Sequence, residues 1–169
     1  ALGMYALNSN TTGHLNTAVG NEAMKSNTTG QNNTALGWEA LSANTTGSQN
    51  TALGFDALAE NIDGTYNTAS GYMTLRYNTS GQRNTAMGYK ALYTNSSGVR
   101  NSALGYLALY ANETGQYNTA MGYQAGNVIT TGSNNVIIGY DADPSANDAS
   151  NQIVIGKDAT GQGDNYAVI

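Results

Sequence analysis

The sequence predicts a mainly β fold, a parallel β-solenoid (a β-roll or β-prism) built from ten 17-residue coils. Three observations carry this expectation. Glycine recurs at Gly3, Gly20, Gly37, Gly54, Gly71, Gly88, Gly105, Gly122, Gly139 and Gly156, every 17 residues without a slip, and a second row runs from Gly13 to Gly132 at the same spacing. Asparagine keeps the same period, at Asn16, Asn33, Asn50, Asn67, Asn84, Asn101, Asn118 and Asn135, and again from Asn10 to Asn112. Composition is the third. Leu, Ile, Val and Phe make up only about 15% of the 169 residues, below the roughly 20% that a globular core usually needs. Charged residues are also scarce, at 10%, so a charge-expanded disordered chain is excluded too. A 17-residue unit cannot bury its own apolar residues, and it becomes stable by stacking on the next copy.

Within each unit, Asn-Thr-Ala-Leu-Gly is the strand. Alternation sets Thr and Leu on one face and Ala and Gly on the other, where the small residues admit close approach of another sheet or chain. Near the C-terminus the strands become fully apolar, as Val136-Ile137-Ile138 and Ile153-Val154-Ile155, and a more deeply buried pair of coils is expected there. The residues after each row glycine, such as "NEAMKS", "WEALSA", "FDALAE" and "YKALYT", are strong helix formers. They predict a helical segment of one or two turns, with a second strand as the alternative. Asn-Thr-Thr-Gly then ends it, because Asn and Gly tolerate positive φ. The two Asn rows are expected to hydrogen-bond from coil to coil. Regular repeats cover residues 1–139, and 140–169 read as closing coils and a junction to a further domain. The opening "ALGMYAL" enters the pattern part-way, so the chain is expected to be a piece of a longer one.

Several function classes fall on composition. There is no Cys, which removes disulfides, thiolate metal sites and thiol nucleophiles. Six Lys and Arg against eleven acids are too few for a nucleic-acid-binding stripe. No apolar run approaches the ~18 residues of a membrane span, so no membrane insertion is expected. The single His14 has no positioned partner, and no P-loop, nucleophile elbow, HExxH, EF-hand or calcium-roll pattern occurs. The chain is read as a non-enzyme without metal or cofactor. The Asn-Thr-Thr sequons follow automatically from the repeat and carry no separate meaning.

The motifs "NTALGWEAL", "NTAMGYKAL", "NSALGYLAL" and "NTAMGYQAG" resemble the head repeats of YadA-like trimeric autotransporter adhesins. They are also similar to repeats of tail-fibre-like surface proteins of phages and bacteria. The ending "NNVIIGYDADPSANDASNQIVIG" is similar to the junction that closes such arrays. The resemblance spans nearly the whole chain. It implies a parallel-stranded homotrimer in an extracellular or virion fibre, working as an adhesin toward a cell-surface polysaccharide or other receptor. The unit here is 17 residues rather than about 14, Thr usually takes the place of the first Val, and no stretch of these 169 residues reads as a coiled-coil stalk or membrane anchor.

Three outward features bear on function. An aromatic row follows the glycines, at Trp38, Phe55, Tyr72, Tyr89, Tyr106, Tyr123 and Tyr140. It is expected to pack between coils or protomers, with sugar stacking as the other possibility. An acidic row, Glu22, Glu39 and Asp56, reads as a solvated face rather than a cation site. Third, the fifth and twelfth positions after the glycine vary, and basic and aromatic residues gather there in the middle coils. Arg76, Tyr77, Arg83, Lys90, Tyr93, Arg100, Tyr110 and Tyr117 form the candidate ligand patch, suited to phosphate- or carboxylate-bearing polysaccharide. Two other functions compete with adhesion. The Thr17, Thr34, Thr51, Thr68 and Thr85 line fits an ice-binding solenoid, though Ser102 and Val136 interrupt it. A tailspike-like depolymerase lacks a carboxylate pair in the central coils.

Overall fold

The computed structural model describes residues 1–169 as a single parallel β-solenoid. Its ten short strands are β1 (Thr17–Val19), β2 (Thr34–Leu36), β3 (Thr51–Leu53), β4 (Thr68–Ser70), β5 (Thr85–Met87), β6 (Ser102–Leu104), β7 (Thr119–Met121), β8 (Val136–Ile138), β9 (Ile153–Ile155) and β10 (Ala167–Val168). They pair in chain order, all parallel. From β1 to β9 every residue faces the one 17 positions on, as Ala52 faces Ala69. The last coil is shorter, because Ala167 faces Ile153. With strands ~4.8 Å apart the rod is on the order of 48 Å long.

The strand's middle residue points inward. Ala18, Ala35, Ala52, Ala69, Ala86 and Ala120 are fully buried, whereas Thr34 and Leu36 on either side are exposed. The small face therefore lines the coil's own interior, and the Thr/Leu face is the open one. A buried row of Ala23, Ala40, Ala57, Ala91, Ala108 and Ala125, and one of Met24, Leu41, Leu58, Leu75, Leu92 and Leu109, complete the core. Few large apolar residues suffice because each row is shared between neighbouring coils. In β8 and β9, Ile137 and Val154 simply replace the inward Ala. Their flanking residues stay partly exposed, Ile153 by 43%, so these coils are not more deeply buried than the rest.

The expected helical segment is absent, and no second strand replaces it. Residues after each row glycine form a run of tight turns in which φ is positive at every second residue, as at Glu22 (58°) and Met24 (51°). Alternate amides close local turns, Lys25 N–H donating to Glu22 O (3.2 Å). The intervening ones cross to neighbouring coils, Met24 N–H donating to Ala40 O (2.9 Å) and Ser26 N–H to Ser42 O (3.0 Å). A helix is about 10 Å across with its side chains, twice the ~4.8 Å pitch of the coils, so helices could not stack here. Helix propensity is a weak preference that tertiary packing overrides. Of 112 backbone hydrogen bonds only 18 lie in the strand ladder, so the turns carry most of the coil-to-coil bonding. Left-handed backbone at Leu or Glu is unfavourable by roughly 1–2 kcal/mol per residue, which these cross-links and the buried Leu row offset.

Both Asn rows bond coil to coil. In the row from Asn10 to Asn112, each Nδ2 donates to Oδ1 of the Asn one coil earlier at 2.7–2.8 Å. In the row from Asn33 to Asn118, Nδ2 donates to a glycine carbonyl 14 residues on, as from Asn84 to Gly98 (2.8 Å). Its Oδ1 accepts the next coil's amide, as from Asn101 (2.9 Å). Buried amide side chains are tolerated because within the ladders their polar atoms are engaged. The first ladder stops where Ile129 takes the Asn position, which leaves Asn112 Oδ1 without a donor. One coil position accompanies that change: Gly126 stands in the Leu row, and Ile129 Cδ1 comes within 3.4 Å of where its Cβ would be. The Ile side chain fills the space that Leu fills elsewhere.

The next member of the Leu row is Asp143. Burial pushes its carboxyl up to about 6 against an ordinary 3.8, with Asp141 adding to the rise and the amides of Val128 and Asn127 opposing it. A raised carboxyl pKa means that the folded chain holds a proton the unfolded chain releases. Stability at this site is therefore full below about pH 4 and is lost as pH rises through about 6. Asp143→Asn is expected to raise the melting temperature at pH 7, the gain vanishing below about pH 4; equal gains at both pH values would contradict this assignment.

Candidate functional site

The eight predicted patch residues fall into two groups on different corners of the coil. In the first, Arg76, Tyr93 and Tyr110 succeed each other in neighbouring coils, beside Tyr77 and Lys90. Tyr93 stacks on Tyr110 (centroids 5.3 Å, 4°) and meets Tyr77 edge-on (5.0 Å, 80°). Lys90 Nζ lies 4.9 Å from the Tyr93 ring centre and 5.4 Å from that of Tyr89. Arg76 lies over Tyr77 at 5.4 Å, but its Nη2 is also 3.3 Å from Asp56 Oδ2. Asp56 is nearly buried. Burial pushes its carboxyl up while the Arg76 charge pulls the other way, and Glu39 and Glu60 add to the rise. The pair is thus an internal ion pair, and Arg76 is not a free cation. Sequence reading missed this partner because Asp56 lies one coil and three residues earlier, in the acidic row.

The second group is a column at the twelfth position: Tyr66, Arg83, Arg100 and Tyr117. Arg83 lies over Tyr66 at 5.4 Å. Arg100 lies over Tyr117 at 5.2 Å and donates from Nη1 to its hydroxyl. Tyr66 shares this column but is not among the eight predicted patch residues. All four side chains are exposed. No ring contact, cation–ring contact or ion pair joins this column to the first group.

The aromatic row after the glycines packs coil on coil. Phe55, Tyr72, Tyr89, Tyr106, Tyr123 and Tyr140 stack with centroids 4.9–5.3 Å apart and planes within 12°. Trp38 continues the stack at 6.4 Å and 30°. Their ring faces cover one another, so solvent meets edges and hydroxyls. A sugar stacks on an open ring face, and inside this row none is open.

The acidic row divides among separate partners: Glu22 pairs with Lys25 (3.0 Å), Glu39 accepts from Trp38 Nε1 (2.7 Å), and Asp56 holds Arg76. His14 is exposed, beside Thr12 O at 3.4 Å. The open sheet face carries only uncharged residues over β1 to β9. A shallow depression of about 210 Å³ lies on it, between Thr85, Ser102 and Thr119 on one side and Met87, Leu104 and Met121 on the other. No helix is long and apolar enough to cross a membrane.

Comparison with models of protein families, with curated proteins and with solved structures finds no match to this chain.

Proposed function

We propose that this chain is a segment of an extracellular fibre or adhesin, assembled as a homotrimer, whose variable columns recognise a cell-surface glycan. The observation that carries the reading is the division of labour within each coil. Gly, Ala, Leu and Asn positions recur because geometry demands them, whereas the outward fifth and twelfth positions change from coil to coil. A rigid rod with freely variable exposed columns suits display of a binding surface. Repetition of like residues in rows supports a non-enzymatic role, since catalysis draws on unlike groups positioned around one reacting atom. The uncharged Thr/Leu face supports self-association: eleven acids and six basic residues all lie elsewhere, so copies meet there without like-charge repulsion. Light scattering after size exclusion is expected to give three times the chain mass at micromolar concentration; a monomer would overturn the trimer. On a glycan array the trimer is expected to retain charged polysaccharides, and no retention of any glycan would overturn the adhesive role.

A second reading has its own observation. Thr17, Thr34 and Thr68 and Thr85 stand exposed in one in-register line on that face, as an ice-binding surface requires. Thermal hysteresis in concentrated solution would favour it over adhesion.

A further inference from the structure

The geometry points to Arg83 and Arg100 as a two-guanidinium clamp for a tetrahedral oxyanion, a sulfate or phosphate ester carried by a polysaccharide. This deepens the adhesive reading and rests on it. The chain has six cations, and three of them are paired: Lys25 with Glu22, Arg76 with Asp56 and Lys157 with Asp158. Of the other three, Lys90 sits alone among tyrosine rings. Arg83 and Arg100 occupy the same position in adjacent coils, so their backbones are one coil pitch, ~4.8 Å, apart. Two like charges are thus set side by side in an acidic chain, and neither forms an ion pair.

Tyrosines flank the pair on both sides. Arg83 packs on Tyr66, one coil earlier, and Arg100 packs on Tyr117, one coil later. Each guanidinium thus sits over a ring that stabilises a cation, on the side away from the other arginine, and no ring of the column stands between the two. The scaffold does not account for these residue types. Every member of the column has positive φ, 60° at Tyr66, 57° at Arg83, 56° at Arg100 and 57° at Tyr117. Asn is the side chain that eases such backbone, and it stands at the same position as Asn32, Asn134 and Asn151. Leu15 and Gln49 also occupy the column at positive φ, so the backbone fixes no residue type there, and the run of Tyr, Arg, Arg and Tyr in four consecutive coils is free to be set by what it presents outward.

A guanidinium fork satisfies a carboxylate by itself, through two parallel N–H···O bonds. Two forks from neighbouring coils approach from different levels, which suits the three terminal oxygens of a tetrahedral sulfate or phosphate ester better than the two coplanar oxygens of a carboxylate. The first group lacks this capacity, because Asp56 already takes up Arg76.

The test uses the intact assembly and four hexasaccharides of equal length, carrying sulfate esters, phosphate esters, uronate carboxylates or no charge, with titration calorimetry as readout. Both ester forms are expected to bind about fivefold or more tighter than the uronate form. Arg83→Ala and Arg100→Ala are each expected to weaken ester binding about tenfold, and Arg83→Lys, which keeps the charge and loses the fork, to weaken it measurably. Lys157→Ala, an exposed cation outside both variable columns, should stay within about twofold of wild type. Circular dichroism checks that each variant keeps its fold. The clamp is overturned if Arg83→Ala and Arg100→Ala both bind the esters like wild type, if uronate binds as tightly, or if Lys157→Ala weakens binding as much as Arg100→Ala. In those cases the adhesive reading stands with its site elsewhere. Binding of none of the four sugars overturns both.

Discussion

Gly88→Ala lowers the unfolding free energy by roughly 3–5 kcal/mol, whereas Gly156→Ala, in the same row, lowers it by only about 1–3 kcal/mol. The two positions share a backbone that only glycine adopts without strain, with φ of 126° and 144°. They differ in what lies beneath. A Cβ on Gly88 would sit 2.4 Å from the carbonyl oxygen of Gly105 and 2.8 Å from its carbon, both backbone atoms of the next coil. At Gly156 the nearest neighbour is Ala159 Cβ at 3.5 Å, an ordinary contact. The second substitution therefore reports strain alone, and the first reports strain together with the clash that forces two coils apart. Denaturant titration of both variants measures the difference. Equal losses would mean that the row glycines serve local conformation only and that the coils are not in backbone contact.

That comparison also shows what was legible in the residues. The 17-residue register was, because both glycine rows and both Asn rows are needed at one spacing by backbone contact and by amide bonding between coils, and such demands leave an unbroken period. The local course of "NEAMKS" and its equivalents was not. Their Ala, Met, Lys and Leu are strong helix formers, but stacking at strand pitch excludes a helix, and nothing in one copy of the unit reveals that pitch. The orientation of the strand was also hidden, since Thr-Ala-Leu alternates equally well with either face inward. Three-residue strands give too little pattern to choose. Only the burial of Ala52 and Ala86 against exposed Leu36 and Met87 decides it.

The candidate patch shows the same division. Its residues stand out in the sequence as the places where the repeat varies, but a column index cannot tell a free cation from a paired one. Arg76 and Arg100 looked equivalent. The fold gives Arg76 a nearly buried carboxylate and leaves Arg100 against a tyrosine. The aromatic row, by contrast, reads as packing between coils or protomers, and its near-parallel planes, with each ring face covered by the next coil's, show the packing between coils.

One coil of 17 residues is the structural unit, and coils couple only in register. Deleting residues 34–50 removes one whole coil and rejoins Asn33 to Thr51, restoring Asn-Thr. Deleting 34–49 leaves one residue too many at the corner where Asn Oδ1 accepts the next coil's amide. Because stability in such arrays is a sum of repeat and neighbour terms, the first variant is expected to keep the far-ultraviolet dichroism per residue and to melt within a few degrees of the intact chain. The second loses both Asn ladders and the glycine contact at one level, and is expected to melt at least about 10 °C lower or in two steps. Thermal denaturation followed by circular dichroism decides between them: a clear separation of the two deletions is what the solenoid predicts, and coincident melting curves would contradict it.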